Sequence, residues 1–137
     1  MKYTQTVFDD WNIEKKRIDQ KNIYHTYIKP WSIWFCSLWH NIWSEENGKW
    51  HIFSRPVLVL SKIGNMYCVV PLTTWWKENH PFYYTITSIS FHKPSRVILT
   101  QIKTLDIKRF IDTKHKISYQ ELLEIKKILR DMYLPEL

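Results

Sequence analysis

The sequence predicts a small mainly-β or α+β domain, a barrel or strongly curved sheet, with a helix near each end. Three observations predict it. Short apolar runs rich in strand-forming residues recur through the middle of the 137-residue chain. Turn residues separate these runs, and apolar residues at helical spacing occur near the two ends. The length suits one domain, and 45% hydrophobic residues indicate a packed core.

The N-terminal part of this pattern is a predicted helix over residues 6–20, where Phe8, Trp11 and Ile18 can share one face. Predicted strands follow over residues 32–38, 56–61, 66–72, 82–88 and 96–102. Between the second and third of them, Gly64-Asn65 predicts a hairpin turn.

The C-terminal part holds a short helical turn, predicted over residues 105–111, and then a longer helix. Ser118 and Glu121 have the spacing of a capping box. Apolar residues then recur every three or four positions at Leu122, Ile125, Leu129 and Met132. We therefore expect an amphipathic helix over residues 119–133, packed on the sheet.

The net charge of the chain indicates which kinds of partner it can bind. A net charge of +7 favours an anionic partner, either nucleic acid or an acidic protein, although simple solubility charge is an alternative. No apolar run approaches the roughly 20 residues that span a bilayer, and the N-terminus lacks a signal-peptide pattern. We therefore expect a cytoplasmic protein with no membrane segment.

Cys36 and Cys68 lie within predicted strands and are expected to be buried thiols. Because the histidines form no ligand pattern, we expect no metal and no other cofactor.

Five segments resemble, in their order along the chain, the MazF/PemK family of toxins from type II toxin–antitoxin systems. They are Ile33-Trp34-Phe35, Ser44-Glu45-Glu46, Arg55-Pro56-Val57-Leu58-Val59-Leu60, Val70-Pro71-Leu72-Thr73-Thr74 and the run from Val97 to Asp106. The resemblance covers about residues 31–111. It implies an SH3-like β-barrel of the CcdB/PemK type over residues 31–137, preceded by an N-terminal helical extension over residues 1–30.

The resemblance also implies an activity and partners. Family members are metal-independent endoribonucleases that cleave single-stranded RNA by attack of a 2′-hydroxyl, leaving 2′,3′-cyclic phosphate and 5′-hydroxyl ends. A cognate antitoxin inhibits them, they are usually homodimers, and they contact operator DNA only through the antitoxin. A non-catalytic CcdB-like toxin and a nucleic-acid-binding module on the same fold are the alternatives.

Two residues are the predicted catalytic groups. Arg55 matches the family's essential arginine, and a guanidinium can hold two phosphate oxygens while staying charged. Thr73 matches the active-site threonine, whose hydroxyl can hydrogen-bond the scissile phosphate. A surface arginine and an ordinary strand-end threonine are the alternative interpretations.

Further residues are assigned to substrate binding by the same resemblance: Ser44, Glu45, Glu46, Thr74 and Gln101. Some family members have a catalytic acidic residue just before that glutamine, where this chain has Thr100. His40 and His51 could therefore act as acid or base, although each alone is more often a surface histidine. Aromatic and basic residues that could contact RNA follow Thr73 at Trp75, Trp76, Lys77, Phe82 and Tyr83.

Tryptophan and glycine are used in unusual proportion. The chain has 8 tryptophans and 2 glycines, whereas average usage of about 7% would give about ten glycines. We hypothesise that the gene uses UGA for glycine and that UGA is read as tryptophan in this sequence. Trp11 and Trp34 would be genuine, and the suspect positions are Trp31, Trp39, Trp43, Trp50, Trp75 and Trp76. The alternative is that these tryptophans are real stacking surfaces.

Overall fold

The computed structural model describes residues 10, 13, 28–38, 54–74, 80–90 and 93–136. Within them the chain forms seven strands, one 3₁₀ turn and one long helix. In chain order these are β1 (Ser32–Ser37), β2 (Ser54–Ile63), β3 (Met66–Thr73), β4 (Tyr83–Thr85), β5 (Arg96–Ile98), β6 (Lys103–Asp106), the 3₁₀ turn (Ile107–Arg109), β7 (Phe110–Lys116) and α1 (Tyr119–Tyr133). None of the helices in this described part is long and apolar enough to cross a membrane.

The strands form one antiparallel sheet in the order β4-β5-β3-β2-β1-β7. β3 is its centre because β2 covers one edge, while β6 pairs with its first half and β5 with its last two residues. The sheet curls into a half-barrel with the helix at the C-terminal end. The predicted fold class is therefore confirmed.

Two apolar cores lie on opposite faces of the sheet, because successive strand residues alternate between faces. The helix core joins Leu122, Ile125 and Leu129 of α1 to sheet residues such as Leu58 and Val70. The core of the other face, here called the distal face, contains Cys36, Val57, Val59, Tyr67, Val69, Leu105 and Phe110. Fully burying one such aliphatic side chain contributes about 1.5–3 kcal/mol, so both faces stabilise the sheet.

Local sequence signals are confirmed where they are strongest. The hairpin turn falls at Gly64-Asn65, with Ile63 opposite Met66. Gly64 has φ of +59°, a conformation that glycine adopts without strain. The helix spans Tyr119–Tyr133, as predicted, and the Ser118 hydroxyl caps it by accepting from the Glu121 N–H. Cys36 is buried as expected, but Cys68 is only half-buried, and burial raises the pKa of its thiol.

The prediction is wrong in four places in the second half of the chain, one of which is that it contains no strand over β7, Phe110–Lys116. The strand expected over 82–88 ends at Thr85. The Ile86 N–H still donates to the Ser95 carbonyl, but the Thr87 and Ser88 N–H groups donate to the Glu121 carboxylate of the helix. The strand expected over 96–102 ends at Ile98, where a turn closes with the Gln101 N–H donating to the Ile98 carbonyl. The helical turn expected over 105–111 is limited to a 3₁₀ turn, flanked by the ends of β6 and β7. The helix predicted over 6–20 lies outside the described residues except for Asp10 and Ile13, which are helical.

One buried carboxylate attaches the helix to the loop after β4. Glu121 is 3% exposed. It accepts five hydrogen bonds, from the N–H and hydroxyl of Thr87, the N–H and hydroxyl of Ser88, and the hydroxyl of Tyr84. Burial raises the pKa of Glu121, but the hydrogen bonds from Ser88 and Thr87 outweigh it and bring the pKa from 4.5 to about 2. The capping-box glutamate thus bonds to a distant loop, while the Ser118 N–H donates to the Ser88 hydroxyl.

A tight turn before β1 places Trp31 in an unusual conformation. The Ser32 N–H donates to the Lys29 carbonyl, so Pro30 and Trp31 are the central residues of a four-residue turn. Trp31 has φ of +66° and is the only non-glycine residue with positive φ in the described ranges. Proline followed by a residue with positive φ is the pattern of a type II turn, which favours glycine at the second position. The geometry supports the hypothesis that position 31 is encoded as glycine.

We predict that Glu121 makes folding stability depend on pH. Its folded pKa lies below its unfolded value, so its contribution is complete above about pH 4.5 and is lost as pH falls towards 2. Denaturant unfolding between pH 2.5 and 7 should show a loss on the order of 2–3 kcal/mol. In Glu121→Gln most of this dependence should disappear, whereas Glu136→Gln should behave like the unchanged chain. An unchanged pH profile in Glu121→Gln would contradict the prediction.

A second prediction concerns Trp31. Trp31→Gly and Trp31→Ala both remove the indole, but only glycine adopts positive φ without strain. Thermal unfolding should therefore find the glycine variant more stable than the alanine variant by about 1 kcal/mol. At the exposed helix position Leu123 the order should reverse, with alanine more stable by about 0.5–1 kcal/mol. Alanine more stable at both positions would remove the structural support for glycine, and UGG at codon 31 would end the recoding hypothesis there.

Candidate functional site

The N-terminal end of β2 and the C-terminal end of β3 lie side by side, and they carry Arg55 and Thr73. The two strands pair with Val57 opposite Pro71, and continuing that register by two residues places Arg55 beside Thr73. Directly opposed residues in antiparallel strands point to the same face, here the distal face. Arg55 is half-buried and Thr73 is buried. The sheet therefore brings these two residues together, while their chemical roles stay predictions.

Arg96 extends this arrangement by one strand. It lies opposite Thr73 on β5 and is 8% exposed. Neighbouring strands are about 4.8 Å apart, so the threonine has an arginine on the strand at each side. We call Arg55, Thr73 and Arg96 the arginine row. Two guanidinium groups flanking a hydroxyl can contact one phosphate group from two directions.

Lys103 and Arg109 add positive charge to the distal face. Lys103 lies opposite Val69, a distal-core residue, and is half-buried. Burial lowers the pKa of Lys103, and the positive charges of Arg55 and then Arg109 lower it further. The Arg109 guanidinium also donates a 3.3 Å hydrogen bond to the Ser37 carbonyl at the end of β1. Neighbouring positive charges disfavour the charged form of Lys103, and an anionic ligand at this cluster would favour it.

Aromatic rings lie beside the arginine row on β4 and the turn before it. Tyr83 is on the same face of β4 as Thr85, which lies opposite Arg96. The His80 and Tyr83 rings are stacked, with centroids 4.5 Å apart and planes 20° apart. Phe82, 45% exposed, follows the same turn. Rings next to a cationic groove are typical of surfaces that bind single-stranded nucleic acid.

Of the predicted substrate-binding residues, the structure describes Thr74 and Gln101. Thr74 is exposed directly after β3, and Gln101 is half-buried in the turn between β5 and β6. The other predicted residues lie outside the described part of the chain: Ser44, Glu45, Glu46, His40, His51, Trp75, Trp76 and Lys77. Within the described part, no group of three or more His, Cys, Asp or Glu side chains could hold a metal ion.

Sequence reasoning missed Arg96, Lys103 and Arg109. Arg96 opens a predicted strand, just as Arg55 comes directly before one, and that position was the available signal. Lys103 and Arg109 come from different elements, and the folded sheet places Lys103 close enough to both Arg55 and Arg109 for their charges to lower its pKa. Their proximity has no signature in the spacing of the residues.

The fold and the site together define a class: a small curled-sheet domain whose distal face is suited to a phosphate-bearing ligand. The family model that describes a PemK-like, MazF-like toxin of type II toxin–antitoxin systems matches residues 29–133. The chain belongs to this toxin family. No protein with a curated description matches the sequence.

Solved structures share the fold at low sequence identity. An endoribonuclease from a mycobacterial species, solved in complex with its cognate antitoxin, matches with a TM-score of 0.60 and 17% identity, over 81% of this chain and all of its own. The Mycobacterium tuberculosis toxin MazF-mt6 matches at 0.57 and 13%, over 77% and 99% of the two chains. MazF from Deinococcus radiodurans matches at 0.56 and 18%, over 77% and 96%.

We predict that Lys103 reduces the stability of the fold. Lys103→Met removes a partly buried charge near two arginines, so the free energy of unfolding at pH 7 should rise by about 0.5 kcal/mol. The pKa of Lys103 is lower in the folded chain than its unfolded value of 10.5, so the unchanged chain gains stability as pH rises from the folded pKa to 10.5. The difference in stability between Lys103→Met and the unchanged chain should therefore narrow over this pH range. Lys127→Met, on the exposed part of α1, should change stability by less. A loss of stability in Lys103→Met would show that the lysine stabilises the native fold.

Proposed function

We propose that this chain is a metal-independent endoribonuclease that cleaves single-stranded RNA and acts as the toxin of a toxin–antitoxin pair. The arginine row is the observation that carries the proposal. It supplies two fixed cations and a hydroxyl on one face, and Lys103 and Arg109 add charge nearby. The structural relatives that are endoribonucleases support the same activity.

In the proposed reaction, a ribose 2′-oxygen attacks the adjacent phosphorus and loses its proton to a base. The P–O5′ bond breaks as the new P–O2′ bond forms, and the departing 5′-oxygen takes up a proton. The products are a 2′,3′-cyclic phosphate and a 5′-hydroxyl. No atom is oxidised or reduced in this reaction. The protein therefore needs only to transfer protons and to stabilise the developing negative charge.

The arginine row stabilises the charge that develops on the phosphate. Arg55 and Arg96 hold the non-bridging oxygens, and the Thr73 hydroxyl donates to one of them. Donors fixed by a sheet need little reorganisation during the reaction, which is why such groups lower barriers strongly. Lys103 is a candidate general acid for the 5′-oxygen, since its lowered pKa makes its ammonium a better proton donor than an ordinary lysine.

The partners follow from the same proposal. The relatives solved with antitoxins include the mycobacterial endoribonuclease and a MazE-MazF complex from Deinococcus radiodurans. An acidic antitoxin segment covering the distal face would neutralise its cations and exclude RNA. We further propose that the toxin is a cytoplasmic homodimer and that operator DNA is contacted only through the antitoxin.

One observation favours a second candidate. Thr100 occupies the position where some family members have an acidic catalytic residue, and it is exposed beside Gln101. A chain without that carboxylate could bind nucleic acid and leave it intact, as a binding module or a CcdB-like toxin would.

The test is incubation of the purified chain with a long RNA in EDTA, followed by sequencing of fragments with 5′-hydroxyl ends. We expect cleavage without added metal. Arg55→Ala should cleave about 100- to 1,000-fold more slowly, the usual effect of removing one donor to a transition-state oxyanion. Arg130→Ala, an exposed arginine on α1, should retain full activity. RNA that is bound but uncut would favour the binding module, and cleavage equally fast in Arg55→Ala would refute the proposed site.

A further inference from the structure

A cavity of about 420 Å³ lies between the start of β1 and the end of β7. Its walls include the Trp34 indole and Thr113, with three basic side chains around them at Lys29, His115 and Lys116. Trp34 lies opposite Thr113 in the β1–β7 register. The catalytic assignments do not use this cavity.

The cavity shares the distal face with the arginine row. Trp34 and Cys36 point to the same side of β1, and Cys36 lies opposite Arg55. Ser32, at the cavity, is four residues from Cys36, which corresponds to about 13 Å along a strand. The nucleotides that flank a phosphate held at the arginine row can reach this distance along β1.

The Trp34 ring is held in place before any ligand binds. Its indole N–H donates to the Ser32 hydroxyl at 3.1 Å, and that hydroxyl donates in turn to the Lys29 carbonyl. The ring also meets Phe110 edge-on, with centroids 5.8 Å apart. A side chain that is already ordered loses little conformational entropy when a ligand stacks on it.

Resting on the proposed ribonuclease function, we propose that this cavity is a subsite for one RNA nucleotide flanking the cleaved bond. The base stacks on the Trp34 indole, and its phosphate faces Lys29 and Lys116. A stacking ring combined with basic side chains is how proteins bind single-stranded RNA. A carboxylate from an acidic protein would use the cations alone, whereas a nucleotide uses the cations and the ring.

Binding of a single-stranded RNA with 2′-O-methyl groups throughout tests the subsite, because this probe has no attacking hydroxyl. Trp34→Leu keeps an apolar side chain but removes stacking, and should weaken binding about tenfold, within the range for one stacked base. Trp34→Phe keeps an aromatic ring and should lose much less. Thermal melting of both variants checks their folding, and if Trp34→Leu is unfolded, the Lys116→Met measurement described next decides.

Salt dependence tests the phosphate contact separately. Lys116→Met should weaken binding and lower the slope of log affinity against log salt concentration by about 0.7. Lys127→Met, which removes one lysine from the helix, should change neither quantity. An unchanged slope in Lys116→Met would overturn the phosphate contact.

Two results would overturn the subsite as a whole. Equal RNA affinity in folded Trp34→Leu and the unchanged chain would exclude stacking. If Lys116→Met instead weakens the binding of a labelled poly-glutamate peptide and leaves RNA affinity unchanged, the cavity recognises an acidic protein segment. If only the subsite proposal fails, the unchanged chain still cleaves RNA in EDTA and Arg55→Ala still cleaves it much more slowly. This outcome distinguishes failure of the subsite from failure of the proposed function.

Discussion

The pairing of β2 with β3 is the constraint on which both the distal core and the candidate site depend. Near the turn, Ile63 pairs with Met66 and Ser61 with Cys68, whereas further along Val59 pairs with Val69 and Val57 with Pro71. The register therefore shifts by one residue between Val59 and Ser61, as a β-bulge requires. Without that extra residue in β2, Arg55 would come opposite Thr74 instead of Thr73. The bulge thus decides which of two adjacent threonines lies beside the arginine, and it aligns Val57 with Pro71 and Val59 with Val69.

The cations on the distal face oppose the stability that this register supplies. Lys103 is half-buried among positive charges, which lowers its pKa and favours its neutral form. The carboxylate of Glu121 is the contrasting case, since five donors satisfy it and it holds the helix on the β4 side of the sheet. Hydrogen bonds therefore offset the burial of the Glu121 charge, whereas burial and neighbouring positive charges both disfavour the charged form of Lys103. Departures from local optimality of this kind are expected at functional sites.

Local signals in the sequence predict local structure and little else. The Ser118 cap and the spacing of Leu122 and Ile125 lie within one helix, so its bounds could be derived directly. By contrast, the Thr87 N–H just after β4 donates to a carboxylate more than thirty residues away. No sequence pattern near Thr85 predicts this contact. β7 was missed because its polar sequence lacks an apolar run, and it is a strand through pairing with β1 across two register shifts. The motif around Arg55 and Thr73 supplied two residues of the candidate site, and the sheet added Arg96, Lys103 and Arg109.

The two tryptophans that line the cavity between β1 and β7 differ in their backbone geometry. Trp34 lies within β1 in ordinary strand geometry, contacts Phe110, and donates a hydrogen bond to Ser32. Trp31, which also lines the cavity, has positive φ in a turn that favours glycine. If codon 31 is UGA read as glycine in the native host, the cavity loses one indole wall and becomes wider, and the stacking surface is Trp34 alone. RNA recognition inferred from Trp75 and Trp76 would lose its basis under the same reading, whereas the arginine row and Trp34 do not depend on any suspect position. The inference of a nucleotide subsite therefore rests on the one tryptophan in the described strands whose backbone geometry is ordinary for its residue type.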